Sequence, residues 1–79
     1  MAEMLYDGLA HDAVFYLTAP GIVRFAFSNP SASGYVRSRD GFLARIYPGS
    51  RLFLSAGEHV LTLYDPKLAA HVSIVFMPD

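Results

Sequence analysis

Apolar and polar residues alternate along most of this chain. In "IVRFAFS", Val23, Phe25 and Phe27 share one parity, and Arg24, Ala26 and Ser28 the other. In "FLARIY", Phe42, Ala44 and Ile46 oppose Leu43, Arg45 and Tyr47. In "HVSIVF", Val72, Ile74 and Phe76 oppose His71, Ser73 and Val75. Period two is the pleat of a β-strand, whose successive side chains leave opposite faces. Turn formers punctuate the pattern at Gly8, Pro20-Gly21, Pro30 to Gly34, Asp40-Gly41, Pro48-Gly49, Gly57, Asp65-Pro66 and Pro78. The pattern predicts strands over 3–7, 13–19, 22–28, 34–38, 42–47, 51–55, 59–64 and 71–77. Strands at such spacing imply one all-β domain over residues 1–79: a small antiparallel β-sandwich or jelly-roll-like barrel of about seven to eight short strands. No segment carries a helical stripe. "DPKLAAHV" has room for one turn of helix, with Pro66 at its first position.

Parity then sorts inside from outside. The expected core is Val14, Tyr16, Val23, Phe25, Phe27, Phe42, Ile46, Leu52, Leu54, Leu61, Leu63, Val72, Ile74 and Phe76. The opposite parity is also apolar in several strands: Phe15 and Leu17, Leu43 and Tyr47, Phe53, Val60 and Tyr64, Val75 and Met77. A solvated sheet face reads as polar. Strands apolar on both sides therefore point to an outer face that another chain covers.

Composition sharpens that expectation. The chain has 79 residues, of which 53% are hydrophobic, with six Phe and five Tyr. A domain of this size buries only about 60% of the surface its unfolded chain exposes. The remaining apolar surface is expected in an interface. Arginine outnumbers lysine, with Arg24, Arg37, Arg39, Arg45 and Arg51 against Lys67 alone, as interface cores prefer. A net charge of −1 provides no basic footprint for nucleic acid. Cysteine is absent, which removes disulfides and thiolate metal sites. "MAEMLYDGLAHD" does not read as a signal peptide, and no run approaches the roughly 18 apolar residues of a membrane span. The expected location is the cytoplasm or an assembled virion-like particle.

Candidate chemistry is sparse. In "LSAGEHVLTL", Glu58 and His59 are neighbours in a strand and point to opposite faces, so they do not act on one atom. Gly57 permits a positive φ, and the stretch reads as a hairpin turn followed by an exposed polar pair. "GEHVL" resembles the Gly-x-His-x-Met signature of periplasmic copper chaperones, but Leu61 stands at the Met position and no export signal precedes it. His11 and His71 are distant in sequence, and no close ligand spacing suggests a metal. No serine lies in G-x-S-x-G, and Asp7, Asp12, Asp40 and Asp65 adjoin turns. No cofactor motif is present and no enzymatic role is expected. The polar stretch "SNPSASGYVRSRDG" reads as a loop leading to a charged edge strand. Stacking by Tyr35 with Arg37 and Arg39 on phosphates is the nucleic-acid alternative; contact of these residues with a partner protein fits the charge better.

"TAPGIVRFAF" and "YPGSRLFLSAGEHVLTLYD" resemble the small accessory β-modules of tailed-phage-type particles, such as head decoration proteins, spike or fibre bases and tail adaptors. The resemblance implies a structural subunit that oligomerises with itself and docks on other protein subunits. The expected interface residues are Phe15, Leu17, Tyr35, Arg37, Arg39, Tyr47, Phe53, Tyr64, Val75 and Met77. Two other roles fit the same composition. One is a carbohydrate- or small-ligand-binding module using Tyr6, Tyr16, Tyr35, Tyr47 and Tyr64. The other is a small inhibitor or regulator that covers a partner's surface.

Overall fold

The computed structural model describes residues 2–65 and 69–77. Eight strands follow one another: β1 (Glu3–Ala10), β2 (Asp12–Leu17), β3 (Gly21–Phe27), β4 (Gly34–Ser38), β5 (Leu43–Ile46), β6 (Arg51–Leu54), β7 (Gly57–Leu63) and β8 (Ala70–Met77). Each lies over an expected strand, within a few residues at the ends. The helical turn expected in 65–72 falls partly on residues outside those described; its described end belongs to β8.

The strands form two four-stranded antiparallel sheets, in the orders β1-β8-β3-β6 and β2-β7-β4-β5. Six of the seven connections cross from one sheet to the other, and only β4–β5 is a hairpin. This is jelly-roll connectivity, two interleaved Greek keys. The slab measures 32 × 27 × 16 Å between Cα extremes, so one layer of side chains separates the sheets.

Turn chemistry places the corners. Ser38 N–H bonds Phe42 O and Gly41 N–H bonds Ser38 O, which closes a three-residue β4–β5 loop with Gly41 at φ 94°. Asp40 Oδ1 accepts the Phe42 N–H there, a local backbone bond as expected of an Asp in a turn. Tyr47 to Ser50 form a turn with Pro48 and Gly49 at its centre, Gly49 at φ 86°. Phe25 clamps this turn through its own backbone N–H to Ser50 O and its O to Gly49 N–H. The turn therefore carries the chain from β5 in one sheet to β6 in the other. Gly34 is required by crowding, since a Cβ there would lie 2.3 Å from the Thr62 carbonyl oxygen on β7.

The core holds Val23, Phe25, Ile46, Leu54, Leu61, Leu63, Val72 and Ile74 as expected, all buried, and Val36, which was not among the expected core residues, joins them. Phe27, Leu52 and Phe76 pack against its margin. β2 is reversed. Ala13, Phe15 and Leu17 point inward and Val14 and Tyr16 outward, with Phe15 1% and Tyr16 61% exposed. Phe15 and Leu17 are therefore core residues and do not present to a partner. The physical reason lies in the register: Phe15 stands opposite the buried His59 and stacks on its ring. Tyr16 turns outward because its hydroxyl finds the Glu58 carboxylate at 3.1 Å. Phe42 keeps the inward parity but sits at the hairpin end beside Leu54 and Ser55, where it is half-exposed. β4 is an inner strand between β7 and β5, so the charged edge strand expected after Pro30 is an interior one, and β5 is the edge.

Phe15→Ala is expected to cost about 3–5 kcal/mol of stability, and Tyr16→Ala less than about 1 kcal/mol. Urea denaturation of both variants checks the reversal; the opposite ranking would return Tyr16 to the core.

Candidate protein-docking faces

The Glu58-His59 pair splits across the sheet. His59 is buried, not exposed, and the step from β6 to β7 is an arch between sheets instead of a hairpin, with Gly57 at φ 120°. The His59 ring stacks on Phe15 with centroids 5.5 Å apart. Its Nε2 lies 2.8 Å from the Ser55 carbonyl, which only accepts, so Nε2 carries the hydrogen. Nδ1 then accepts the Ser38 hydroxyl at 2.5 Å. Ser38 is itself buried. The pair spends its polar groups on tying β4, β7 and the 55–57 arch together. No described side-chain nitrogen or oxygen is buried without a partner.

Glu58 points outward, where the Tyr16 hydroxyl and the Arg39 guanidinium, 3.9 Å away, converge on its carboxylate. That carboxylate pushes the Tyr16 phenol up from its ordinary value, by its hydrogen bond first and its charge second.

The register fixes the outer face of the β2-β7-β4-β5 sheet. Asp12, Thr62, Tyr35 and Arg45 form one cross-strand row; Val14, Val60, Arg37 and Leu43 form the next. Tyr35 and Tyr64 pack with ring centroids 5.3 Å apart. The Arg45 guanidinium lies 4.7 Å above the Tyr64 ring and 5.8 Å from that of Tyr47, and its Nε–H donates to the Tyr64 hydroxyl at 3.3 Å. Tyr35, Arg37, Leu43, Arg45 and Tyr64 line an open basin of about 560 Å³. The sheet thus brings together Tyr35, Arg37, Tyr47 and Tyr64 from the expected interface set. Arg39 stands at the hairpin end of the same face, 83% exposed at its side chain. Arg45 and Leu43 are additions. Their outward parity was readable in "FLARIY", but the stacking of Arg45 on Tyr64 depends on a 19-residue separation closed only by the fold.

The outer face of the β1-β8-β3-β6 sheet has a different chemistry. Phe53, Ile22 and Met77 form one row, and Arg51, Arg24, Val75 and Met4 the next. Phe53 is 65% exposed, while Val75 and Met77 are half-buried by their neighbours. Ile22, Phe53, Phe76 and Met77 line a cavity of about 430 Å³. Arg24 and Arg51 stand directly opposite one another, a like-charge pair that costs stability. Further along, Asp7 lies within β1 and not at a turn, and bonds across to β8. Its Oδ1 meets His71 Nε2 at 2.5 Å and accepts the Ser73 hydroxyl at 3.1 Å. Among the described residues no three His, Asp or Glu side chains converge as metal ligands, and no helix is long and apolar enough to cross a membrane. Tyr6 packs inward against the core, apart from the other tyrosines.

No family model matches the sequence, and no curated protein matches it. The fold resembles the crystal structure of the C-terminal domain of A223, a structural protein from Sulfolobus turreted icosahedral virus, with a TM-score of 0.73 over 99% of this chain and 100% of that one. Identity is 14%, so the likeness lies in the fold.

Hydrogen bonds from His71 first and Ser73 second hold the Asp7 carboxyl below its ordinary range. A depressed folded-state pKa contributes stability above the unfolded value and loses it as pH falls through the folded one. The stability gap between wild type and Asp7→Asn is therefore expected to be full above about pH 5 and to shrink progressively as pH falls below about 4. Urea midpoints across that range measure it, and a gap independent of pH would contradict the assignment.

Proposed function

We propose that this chain is a structural subunit of a virion-type particle. It associates with copies of itself through the apolar outer face of the β1-β8-β3-β6 sheet. It docks on other protein subunits through the tyrosine and arginine face of the β2-β7-β4-β5 sheet. The observation that carries the reading is the outward placement of large apolar side chains on a fully collapsed domain. The accessible surface is 4715 Å², and a compact monomer of 8.7 kDa has about 4,700 Å². Collapse is thus complete, yet Phe53 and Leu43 remain 65% and 64% exposed. A broad face of 32 by 27 Å provides the roughly 800 Å² per partner that a standard interface uses.

The likeness to a viral structural protein's domain supports the same reading, because it spans the whole chain. Phe53, Val75 and Met77 would form the self-contact, with Ile22 and Met4 beside them. Tyr35, Arg37, Arg39, Tyr47 and Tyr64 would meet the other subunits. The carbohydrate reading has one observation in its favour, since Tyr16, Tyr35, Tyr47 and Tyr64 share a face. It is weakened because Arg45 covers the Tyr64 ring and Tyr35 leans against it, which leaves less flat aromatic surface for a sugar.

Light scattering on the purified chain is expected to give a mass that is a multiple of 8.7 kDa. Phe53→Asp should return it to the monomer while leaving stability within about 0.5 kcal/mol, as for an exposed site. A wild-type chain that stays monomeric through its solubility limit would overturn the self-association.

A further inference from the structure

The basin on the β4–β5 edge carries the positive charge of two arginines. Arg37 stands between Val60 and Leu43, and Arg45 opposite Tyr35. Arg39 pairs with Glu58 and His71 with Asp7, and neither pair involves Arg37 or Arg45. Glu58 is already engaged by Tyr16 and Arg39. Asp12 lies in the Arg45 row but beyond Thr62 and Tyr35, at the far side of the sheet. Two guanidiniums thus rim an apolar basin that no described carboxylate lines.

We infer that this basin receives the carboxylate side chains of an acidic peptide segment on a partner subunit, an inference that rests on the docking reading above. Arg45 is held over Tyr64 by its Nε–H bond, and the tyrosine hydroxyls do not exhaust its five N–H donors. A guanidinium fixed in this way meets a carboxylate with little further ordering. Arg37 supplies the second positive group from the adjacent strand. Leu43 and the tyrosine edges accept the apolar residue between two acids. A second copy of the same basin is a poor occupant, since a two-fold contact brings four guanidiniums together.

The test is a titration of the ¹⁵N-labelled full chain with acetyl-Glu-Leu-Glu-Leu-Glu-amide, and with the same peptide carrying Gln for Glu. Saturable shifts are expected at the Nε–H resonances of Arg37 and Arg45 and at the β4 and β5 amides. The Gln peptide, and Arg37→Gln with the Glu peptide, should each bind at least about tenfold more weakly. Equal response to both peptides overturns the inference, as do shifts centred on Arg24 and Arg51 or no shift at all. Glucuronate moving the same resonances at lower concentration than the peptide would place a sugar acid there and also overturns it. Self-association without any glutamate-dependent shift sinks the acidic partner and leaves the subunit reading standing. A monomer that binds the Glu peptide as described sinks the self-contact and retains the basin.

Discussion

Phe15 and Phe25 meet edge to face across the gap between the two sheets, with centroids 5.9 Å apart and planes at 70°. The rest of the molecule depends on that contact layer. Nearly every connection passes from one sheet to the other, so the sheets are held by the covalent path around the rim and by a single layer of side chains within it. Such a layer has room for one parity from each strand. The other parity must face outward, whatever its chemistry. In this chain it includes Phe53, Ile22, Met77, Leu43, Val14 and Val60, so the apolar outer faces follow from the thinness of the slab. The same thinness connects fold to proposed function, since a slab with two greasy sides is buried most effectively between neighbours.

Among the described residues the interior also admits two polar side chains, Ser38 and His59, and their placement explains the most patterned stretch of the sequence. His59 enters the core because strand parity demands it once Leu61 and Leu63 are inside. It is tolerated because Ser38 and the Ser55 carbonyl satisfy both ring nitrogens. Gly57, two residues earlier, lets the chain turn from one sheet into the other with its positive φ. Glu58, one residue on, is spent outside on Tyr16. The pair that looked like candidate chemistry divides into a core tether and a surface contact.

The eight strands were legible because period two and Gly/Pro turns are local signals. The pairing was not. "PGSRLFLSAGEHVLTL" reads locally as a hairpin, yet β6 and β7 belong to different sheets, and only long-range packing distinguishes the two. The parity of β2 was ambiguous because Val14 and Tyr16 are as apolar as Phe15 and Leu17. A signal did exist: Asp12 and Thr18 share parity with Val14 and Tyr16, and a strand's polar flanks mark its outer side. Arg37 and Tyr35 were recognisable by residue type, whereas Arg45 acquires its role only when β5 pairs with β4 and brings it over Tyr64. The Asp7–His71–Ser73 cluster likewise joins the two ends of the chain and leaves no trace in local sequence.

The central claim is that the outward apolar residues are surface in the single chain and buried in its assembled state. Relaxation by a soluble paramagnetic probe, measured by NMR over a dilution series, tests it most directly. The account predicts that Phe15 and His59 stay silent at every concentration. Phe53, Ile22 and Met77 should be strongly relaxed when dilute and become shielded together as concentration rises. If those three remain equally accessible throughout, or if Phe15 is relaxed at any concentration, the account is contradicted.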